Sequence, residues 1–303
     1  MDIGQLMTLQ GTIFLLAGVG IFIRKKNLLP EEARGMLTDL LIDVILPCNI
    51  ALSFRIDIDR EILANLGTGF LVAWVIQAVA WALSRVLYRR YPDGTKQVLQ
   101  YATVCSNGGF MGSPIAESVF GSMGLMYSAV FLIPQRIVMW SAGLTLFTEA
   151  PDKKTLAKKV LTHPCIIAVF VGMFLMLADP PLPAFLENAA SALGSCNTPI
   201  SMLMVGMILA EVDDIRSMFS WDILRYTIVR LVILPGIIFA GCRLAGIDRL
   251  VTGVAVLLTA MPAACMTTVL AAKYDGDVIF ASKCVVFSTA MTLVSLPVWC
   301  MLL

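Results

Sequence analysis

Residues 106–114 read Ser-Asn-Gly-Gly-Phe-Met-Gly-Ser-Pro, in the middle of an apolar stretch long enough to cross a membrane. Glycine permits backbone angles that other residues avoid, and proline lacks the N–H that a continuing helix needs, so this stretch predicts a broken helix. A second apolar stretch, 249–273, is interrupted at its middle by Met261-Pro262-Ala263-Ala264. Paired interruptions at membrane depth are typical of a transporter's binding site.

The composition is that of an integral membrane protein. Of 303 residues, 58% are hydrophobic and 14% charged, with a mean hydropathy of +0.85, whereas soluble domains carry about a quarter charged residues. About 20 helical residues cross the hydrocarbon core of a bilayer. The predicted fold is therefore all-α with ten transmembrane helices, over residues 3–23, 33–54, 62–88, 96–120, 124–148, 160–178, 185–210, 221–245, 249–273 and 278–302.

The connections between these spans are too short for a separate soluble or nucleic-acid-binding domain. Their basic residues are unevenly distributed: fourteen of the 22 Lys and Arg residues follow odd-numbered spans, against four on the opposite side. Under the positive-inside rule both termini lie outside. The other four fall within spans and are Arg136, Arg225, Arg230 and Lys283.

The two halves of the chain correspond to one another. A shift of 152 residues places Pro47 on Pro199 and lays spans one to five over spans six to ten, while Pro114 and Pro262 lie 148 apart. Because five is an odd number, the second half enters the membrane from the opposite side, which predicts inverted repeats over 1–149 and 160–303 with a cytoplasmic linker at 150–159. The alternative is that the correspondence reflects an old duplication that plays no part in the present mechanism of the protein.

Each interruption is expected to leave a helix N-terminus at the membrane centre. Ser113-Pro114 suits the first turn of one half-helix and Pro262 that of another, and helix N-termini attract anions. The predicted substrate-binding residues at the two interruptions are Ser106, Asn107, Gly108, Ser113, Pro262, Cys265, Thr267 and Thr268, and Gln135 and Arg136 of the fifth span complete the set of ten. The residues assigned to the helix break are Gly109, Gly112, Pro114 and Pro262. The alternative is that these small residues and prolines serve packing alone.

Arg136 stands at the centre of the fifth span beside Gln135, and an intramembrane charge is a functional candidate by default. It is expected to bind a carboxylate, and the alternative is an ion pair with Glu117 or Asp43. Candidate coupling residues are Asp43, Glu117 and Lys283, although Lys283 is also placed to extend toward the inner surface. Asp39 and Asp43 share a helix face, where a polar contact with a neighbouring helix is the simpler reading. Asp277 is expected to cap a helix.

The sequence gives no support to an enzyme. Its one histidine, His163, leaves no His-rich metal site and no serine–histidine catalytic arrangement, and no G-x-x-x-x-G-K-[ST] phosphate loop is present. We therefore expect no metal, cofactor or direct use of ATP. The eight cysteines fall in apolar spans, where they behave as small hydrophobic residues without a disulfide framework.

Several motifs give the chain a resemblance to the auxin efflux carrier family, the bacterial relatives of plant PIN carriers, along essentially its whole length. The family pattern Asn-x-Gly-x-Met-Gly-x-Pro is similar to residues 107–114, and the fifth-span Gln and Trp signature resembles Pro134-Gln135-Arg136-Ile137-Val138-Met139-Trp140. Ala260-Met261-Pro262 and Ala271-Ala272-Lys273-Tyr274 resemble the ninth-span motifs. Plant carriers tend to have a second Asn where this chain has Phe110 and lack an evident equivalent of Arg136.

The resemblance implies crossing broken helices four and nine, a scaffold at about 1–54 and 160–210, and a mobile transport domain at about 62–148 and 221–303. It also implies carriage of organic anions, a homodimer through the scaffold, and Asn107, Gln135 and Pro262 as site-lining residues. The sequence thus predicts a secondary transporter of a small organic anion, a mono- or dicarboxylate, with an elevator-like mechanism in the bacterial cell (inner) membrane. The alternative is a membrane sensor of the same fold without net transport, while a channel lacks a long polar pore-lining helix.

Overall fold

The computed structural model describes residues 3–30, 32–55, 60–147, 153–210, 220–274 and 276–303. Across these ranges the regular structure is helical, and one isolated antiparallel bridge joins Ser106 to Ala263. The α-helices, numbered in chain order, are α1 (Ile3–Lys25), α2 (Ala33–Leu40), α3 (Leu46–Ser53), α4 (Arg60–Leu87), α5 (Asp93–Val104), α6 (Ser113–Trp140), α7 (Lys153–Leu161), α8 (Pro164–Ala178), α9 (Ala184–Ser195), α10 (Asn197–Ala210), α11 (Trp221–Ile228), α12 (Leu234–Leu244), α13 (Arg249–Thr259), α14 (Met266–Lys273) and α15 (Val278–Leu302).

Six helical segments within the described ranges are long and apolar enough to cross a membrane, which agrees with the class that the composition predicted. Two shorter apolar helices, α8 and α13, lie within the predicted sixth and ninth spans. The arrangement of ten spans in two inverted repeats stays a prediction. The six segments are 35–53, 60–87, 108–146, 184–210, 221–244 and 278–302.

Three helices follow directly on a wider, π-helical turn, and each has a proline at its second residue. Proline offers no N–H to the carbonyl four residues earlier, and its ring crowds that carbonyl, so the preceding turn opens. The prolines at 47 and 235 therefore reshape the backbone in the same way as Pro114. The π-helical turns are Leu41–Ile45 before α3, Gly108–Gly112 before α6, and Val229–Ile233 before α12.

The chain reverses inside α6 at Gly121, where the backbone has φ 66° and ψ −158°. The hydroxyl of Ser128 donates to the hydroxyl of Ser113 at 3.1 Å, a contact that residues 15 positions apart in one straight helix never make. A turn is thus present at Gly121, between the predicted fourth and fifth spans. It separates the first part of α6, which carries Glu117, from the second part, which carries Gln135 and Arg136.

The helices pack in two groups. In the first, α1 lies against α10 so closely that a Cβ on Gly20 would collide with the carbonyl of Leu203 and one on Gly206 with the carbonyl of Ala17, while α3 lies against α8 and α9. In the second, α4, α5 and α6 pack with one another and with the helices from α11 to α15. None of the eight cysteines, all of which lie in the described ranges, is in a disulfide bond.

Candidate functional site

The two interruptions meet inside the protein. The backbone N–H of Asn107 donates to the carbonyl of Pro262 at 2.8 Å, and the N–H of Ala264 donates to the carbonyl of Cys105 at 3.1 Å. These two bonds flank the antiparallel bridge between Ser106 and Ala263. Backbone polar groups that each broken helix leaves without an internal partner are therefore satisfied by the other, as an apolar surrounding requires.

One half-helix begins earlier than its proline predicted. The N–H groups of Met111 and Gly112 donate to the carbonyl of Asn107 at 3.1 and 3.3 Å, so the helical ladder starts about one turn before Pro114. The first N–H groups of this half-helix accordingly belong to Gly108, Gly109 and Phe110 instead of the turn at Ser113-Pro114. Ser113 and Pro114 do form the first turn of α6, as predicted, but the unpaired N–H groups expected there lie about one turn earlier, because the π-helical turn precedes α6.

The other half-helix begins later than predicted. Its helix α14 starts at Met266, and the N–H of Thr267 donates to the carbonyl of Ala264 at 2.9 Å. Pro262 does not open this helix, because it lies in the extended segment that pairs with Asn107. The second helix N-terminus therefore falls at Ala264 and Cys265.

Gln135 and Ser106 bind each other in a closed pair. The Ser106 hydroxyl donates to Gln135 Oε1 at 2.9 Å, and Gln135 Nε2 donates to the Ser106 carbonyl at 2.7 Å. Both side chains are buried. The amide thus fixes the segment just before Asn107 to the second part of α6, and with it the position of Arg136, the next residue.

Arg136 is the buried charge of the site. Its side chain is 9% exposed, and its Nη1 has no hydrogen-bond partner among the described residues. Its Nη2 lies 3.8 Å from the place where a Cβ on Gly109 would stand. The ion pairs offered as alternatives do not form in the described part of the chain, since Glu117 binds Asn49 and Asn197 instead. Arg136 thus has donor capacity left for a ligand.

A cavity of about 360 Å³ opens beside Arg136 and the crossing of the broken helices. One part of its wall is polar and the remainder is apolar, so a ligand with a charged group and a hydrophobic body matches both. The polar part consists of Thr38, Asp39, Ser106, Asn107, Gln135, Arg136, His163 and Thr268. The apolar part includes Ile42, Leu46, Phe110, Leu132, Met139, Met266 and Val269.

Six of the ten predicted binding residues line this cavity, as does the helix-break residue Gly109. The six are Ser106, Asn107, Gln135, Arg136, Cys265 and Thr268. The other four lie behind the wall: Gly108 and Ser113 are buried within the half-helix, Pro262 pairs with Asn107, and Thr267 is fully buried with its hydroxyl unpartnered among the described residues.

The candidate coupling residues do not share one location. Glu117 accepts hydrogen bonds from Asn49 Nδ2, at 3.1 and 2.9 Å to its two oxygens, and from Asn197 Nδ2 at 3.3 Å. This joins α6 to α3 and α10. Asp43 and Lys283 are outside the cavity lining, whereas Asp39 is part of it.

Several lining residues escaped prediction because they come from elements that the sequence did not place opposite the broken helices. Thr38 belongs to α2, and His163 precedes α8, where its Nδ1 accepts the N–H of Cys165 at 3.3 Å as a helix cap. The adjacent His163-Pro164 pair signals the start of a helix but not what the imidazole faces. Asp277 caps α15, as predicted, by accepting the N–H of Phe280 at 2.9 Å.

The described residues contain no group of three or more His, Cys, Asp or Glu side chains arranged to hold a metal ion. The described lining residues offer hydrogen-bonding groups, the guanidinium of Arg136, the carboxylate of Asp39 and apolar contact. Such a set binds and orients a ligand.

The sequence is similar to proteins described as membrane transporters. Residues 7–300 match the family model described as membrane transport protein. The chain is 24% identical over 304 residues to an uncharacterized transporter of Methanothermobacter thermautotrophicus, covering 96% of each chain. It is 25% identical over 299 residues to an uncharacterized transporter of Methanocaldococcus jannaschii, covering 95% of each.

Proposed function

Because the chain belongs to the membrane transport protein family, the auxin efflux carrier family that its motifs resemble, we propose that it is a secondary transporter of a small organic anion. The observation that supports an anionic substrate is the environment of Arg136, a buried guanidinium that lines a cavity and has one nitrogen without a hydrogen-bond partner among the described residues. An unpaired charge removed from water costs several kcal/mol, and a carboxylate in the cavity offsets that cost. Charge-assisted hydrogen bonds from a guanidinium to a carboxylate are also short and strong.

The cavity favours a monocarboxylate over a dicarboxylate. Among the described lining residues Arg136 is the one Lys or Arg side chain, and the polar part of the wall also carries the negatively charged Asp39. A second ligand carboxylate would meet either Asp39 or the apolar wall around Phe110 and Met266, and both placements are unfavourable. A single carboxylate on a compact apolar body fits the remaining surface.

The proposed mechanism is alternating access by an elevator-like slide of one helix group against the other. Support comes from the packing, in which α1, α3, α8, α9 and α10 contact one another while the broken helices belong to the second group. The corresponding breaks in the two halves of the chain also match the pattern of inverted repeats in secondary transporters. In this scheme the network of Glu117, Asn49 and Asn197 is a contact that must break and re-form during each cycle.

The proposed orientation places both termini outside the cell and the basic loops inside. The fourteen basic residues that follow odd-numbered spans support it. With the cell interior negative, outward movement of an anion is favoured by the membrane potential. We accordingly propose export as the direction in which potential alone drives net flux.

The function is tested in two steps with purified protein. A thermal-shift screen of acetate, butyrate, benzoate, indole-3-acetate, malonate and malate identifies the anions that bind, since selective binding raises the unfolding temperature. Flux of the best anion is then measured in sealed proteoliposomes. Wild type is expected to show saturable flux that an imposed potential biases.

Arg136→Met is expected to abolish both binding and flux, while Arg225→Met, which removes an exposed arginine paired with Asp222, leaves both unchanged. Undiminished flux in folded Arg136→Met protein contradicts the role of Arg136. Saturable binding without flux in wild type identifies the sensor alternative, and conductance beyond carrier rates identifies a channel.

A further inference from the structure

A second buried arginine, Arg230, holds both broken helices just before they cross. Its side chain is 2% exposed and lies in the π-helical turn Val229–Ile233. Its Nε donates to the carbonyl of Met261 at 2.9 Å, and its Nη1 donates to the carbonyl of Thr103 at 2.7 Å. One guanidinium therefore links the end of α5 to the end of α13, the two helices that lead into the interruptions.

The charge of Arg230 is balanced by helix ends. Among the described residues no carboxylate lies within ion-pairing distance of it. The carbonyls it binds stand where α5 and α13 terminate, and the last carbonyls of a helix carry partial negative charge without an internal partner. Arg230 therefore supplies donors that the broken helices lack, and its own charge is stabilised in return.

The turn that carries Arg230 is itself fixed from two sides. The Tyr226 hydroxyl donates to the carbonyl of Ala102 at 3.2 Å, which attaches α11 to α5. The indole Nε1 of Trp299 donates to the carbonyl of Leu231 at 2.8 Å. In an α-helix that carbonyl would accept from residue 235, which is a proline and has no N–H. The π-helical turn thus has a defined geometry that aims the guanidinium at the crossing.

We propose that Arg230 is a positioning residue that sets the register of the two broken helices and thereby the placement of Ser106 and Asn107 at the cavity. It acts through the backbone, because Arg230 is outside the cavity lining. The consequence for ligand affinity rests on the proposed function, whereas the consequence for the crossing does not. Lysine is a poor replacement, since a single ammonium nitrogen lacks the spread of donors of the planar guanidinium.

Hydrogen exchange of the purified, ligand-free protein tests the backbone role. In Arg230→Met we expect exchange at the amides of residues 105–107 and of residues 263 and 264 to rise roughly tenfold, because the pairing of Asn107 with Pro262 and of Ala264 with Cys105 loosens. Exchange in α1 and α10 is expected to stay at the wild-type rate. The matched control is Arg225→Met, on the same helix segment but exposed and paired with Asp222, and it leaves exchange at the crossing unchanged.

Arg230→Lys covers the case in which the methionine variant does not fold. It keeps the charge and one donor, so we expect a smaller rise, confined to one of the two segments. Wild-type exchange at both segments in either folded variant overturns the proposal. A uniform rise across all helices also overturns it, because that result shows a general loss of stability instead of a local one.

Anion binding separates this inference from the proposed function. Benzoate and butyrate are titrated against wild type and both variants, and the affinity is expected to fall about tenfold in Arg230→Met and less in Arg230→Lys. Unchanged affinity together with faster exchange at the crossing refutes the effect on the site but not on the backbone. If wild type binds none of the screened anions, the proposed function fails while the exchange result still decides the role of Arg230.

Discussion

The backbone N–H of Asn107 donates to the carbonyl of Pro262 at 2.8 Å, and this bond joins the two halves of the chain directly behind the cavity that Asn107 lines. Neither partner can make this bond within its own helix, because both lie where the helical pattern is interrupted. The bond explains why both interruptions are needed together. A change that separates them is expected to affect stability and ligand binding at once.

Gly112→Ala is expected to lower stability by about 1–3 kcal/mol, the usual cost of overpacking a buried contact. A Cβ at this position would lie 2.5 Å from Leu258 Cδ2 and 3.0 Å from Met261 Cγ, so these two buried side chains would have to shift. Thermal unfolding in detergent measures the loss. The matched control is Gly109→Ala, whose Cβ meets only Arg136 Nη2 at 3.8 Å and is expected to leave the unfolding temperature unchanged. Equal unfolding temperatures for the two variants would contradict the close packing at Gly112.

Gln135→Glu is expected to weaken anion binding at least tenfold, since it introduces a negative charge at the wall of the cavity. It also removes the amide donor to the Ser106 carbonyl. Gln135→Met removes this donor, and also the acceptor for the Ser106 hydroxyl, without adding charge, so the comparison isolates the effect of the charge. We expect the methionine variant to bind more tightly than the glutamate variant in titrations with benzoate. The reverse order would show that the site does not select negative charge.

Asp39→Asn is expected to raise anion affinity by about twofold to fivefold, because it removes an exposed carboxylate from the wall of the cavity. The gain should shrink as salt is added. Asp43→Asn serves as the control, because Asp43 is also exposed but does not line the cavity. Titration of both variants at two ionic strengths makes the comparison. A gain of equal size in both variants would show a general charge effect with no contribution from the position of Asp39.

The sequence predicted the parts of the site that depend on local chain chemistry. Glycine and proline restrict backbone conformation directly, so the interruptions at 106–114 and 261–264, the turn at Gly121 and the cap at Asp277 are readable from residue type. Arg136 was identifiable because charge is rare at membrane depth. These inferences need no knowledge of which helices are neighbours.

Features that depend on three-dimensional packing were not readable. The starts of the half-helices moved because a π-helical turn precedes Pro114 and an extended pairing holds Pro262. The partners of Glu117 are Asn49 and Asn197, which lie far away in the chain, and neither has a local sequence signal. The role of Arg230 was not readable for the same reason, since the groups that accept its hydrogen bonds are backbone carbonyls of two other segments.

Glu117→Gln is expected to change the maximal flux more than twofold while anion affinity stays within twofold of wild type. The Glu117 carboxylate accepts from Asn49 and Asn197 across the boundary between the two helix groups, and it lies outside the cavity lining. An amide in its place turns one acceptor into a donor that faces the Asn donors, so the contact weakens and the balance between conformations shifts. Initial flux and equilibrium binding, measured on the same preparation of proteoliposomes, separate turnover from affinity.

Asn49→Leu provides an independent version of this test, because it removes the donor to both carboxylate oxygens without altering Glu117. We expect it to change flux in the same direction as Glu117→Gln and to leave the affinity for benzoate intact. If both variants instead lose affinity and keep their maximal flux, Glu117 acts on the binding site, and its assignment to the moving boundary is wrong. Because a contact at a sliding boundary is formed in only some of the conformations, its removal alters rates without requiring any change in the bound ligand's contacts.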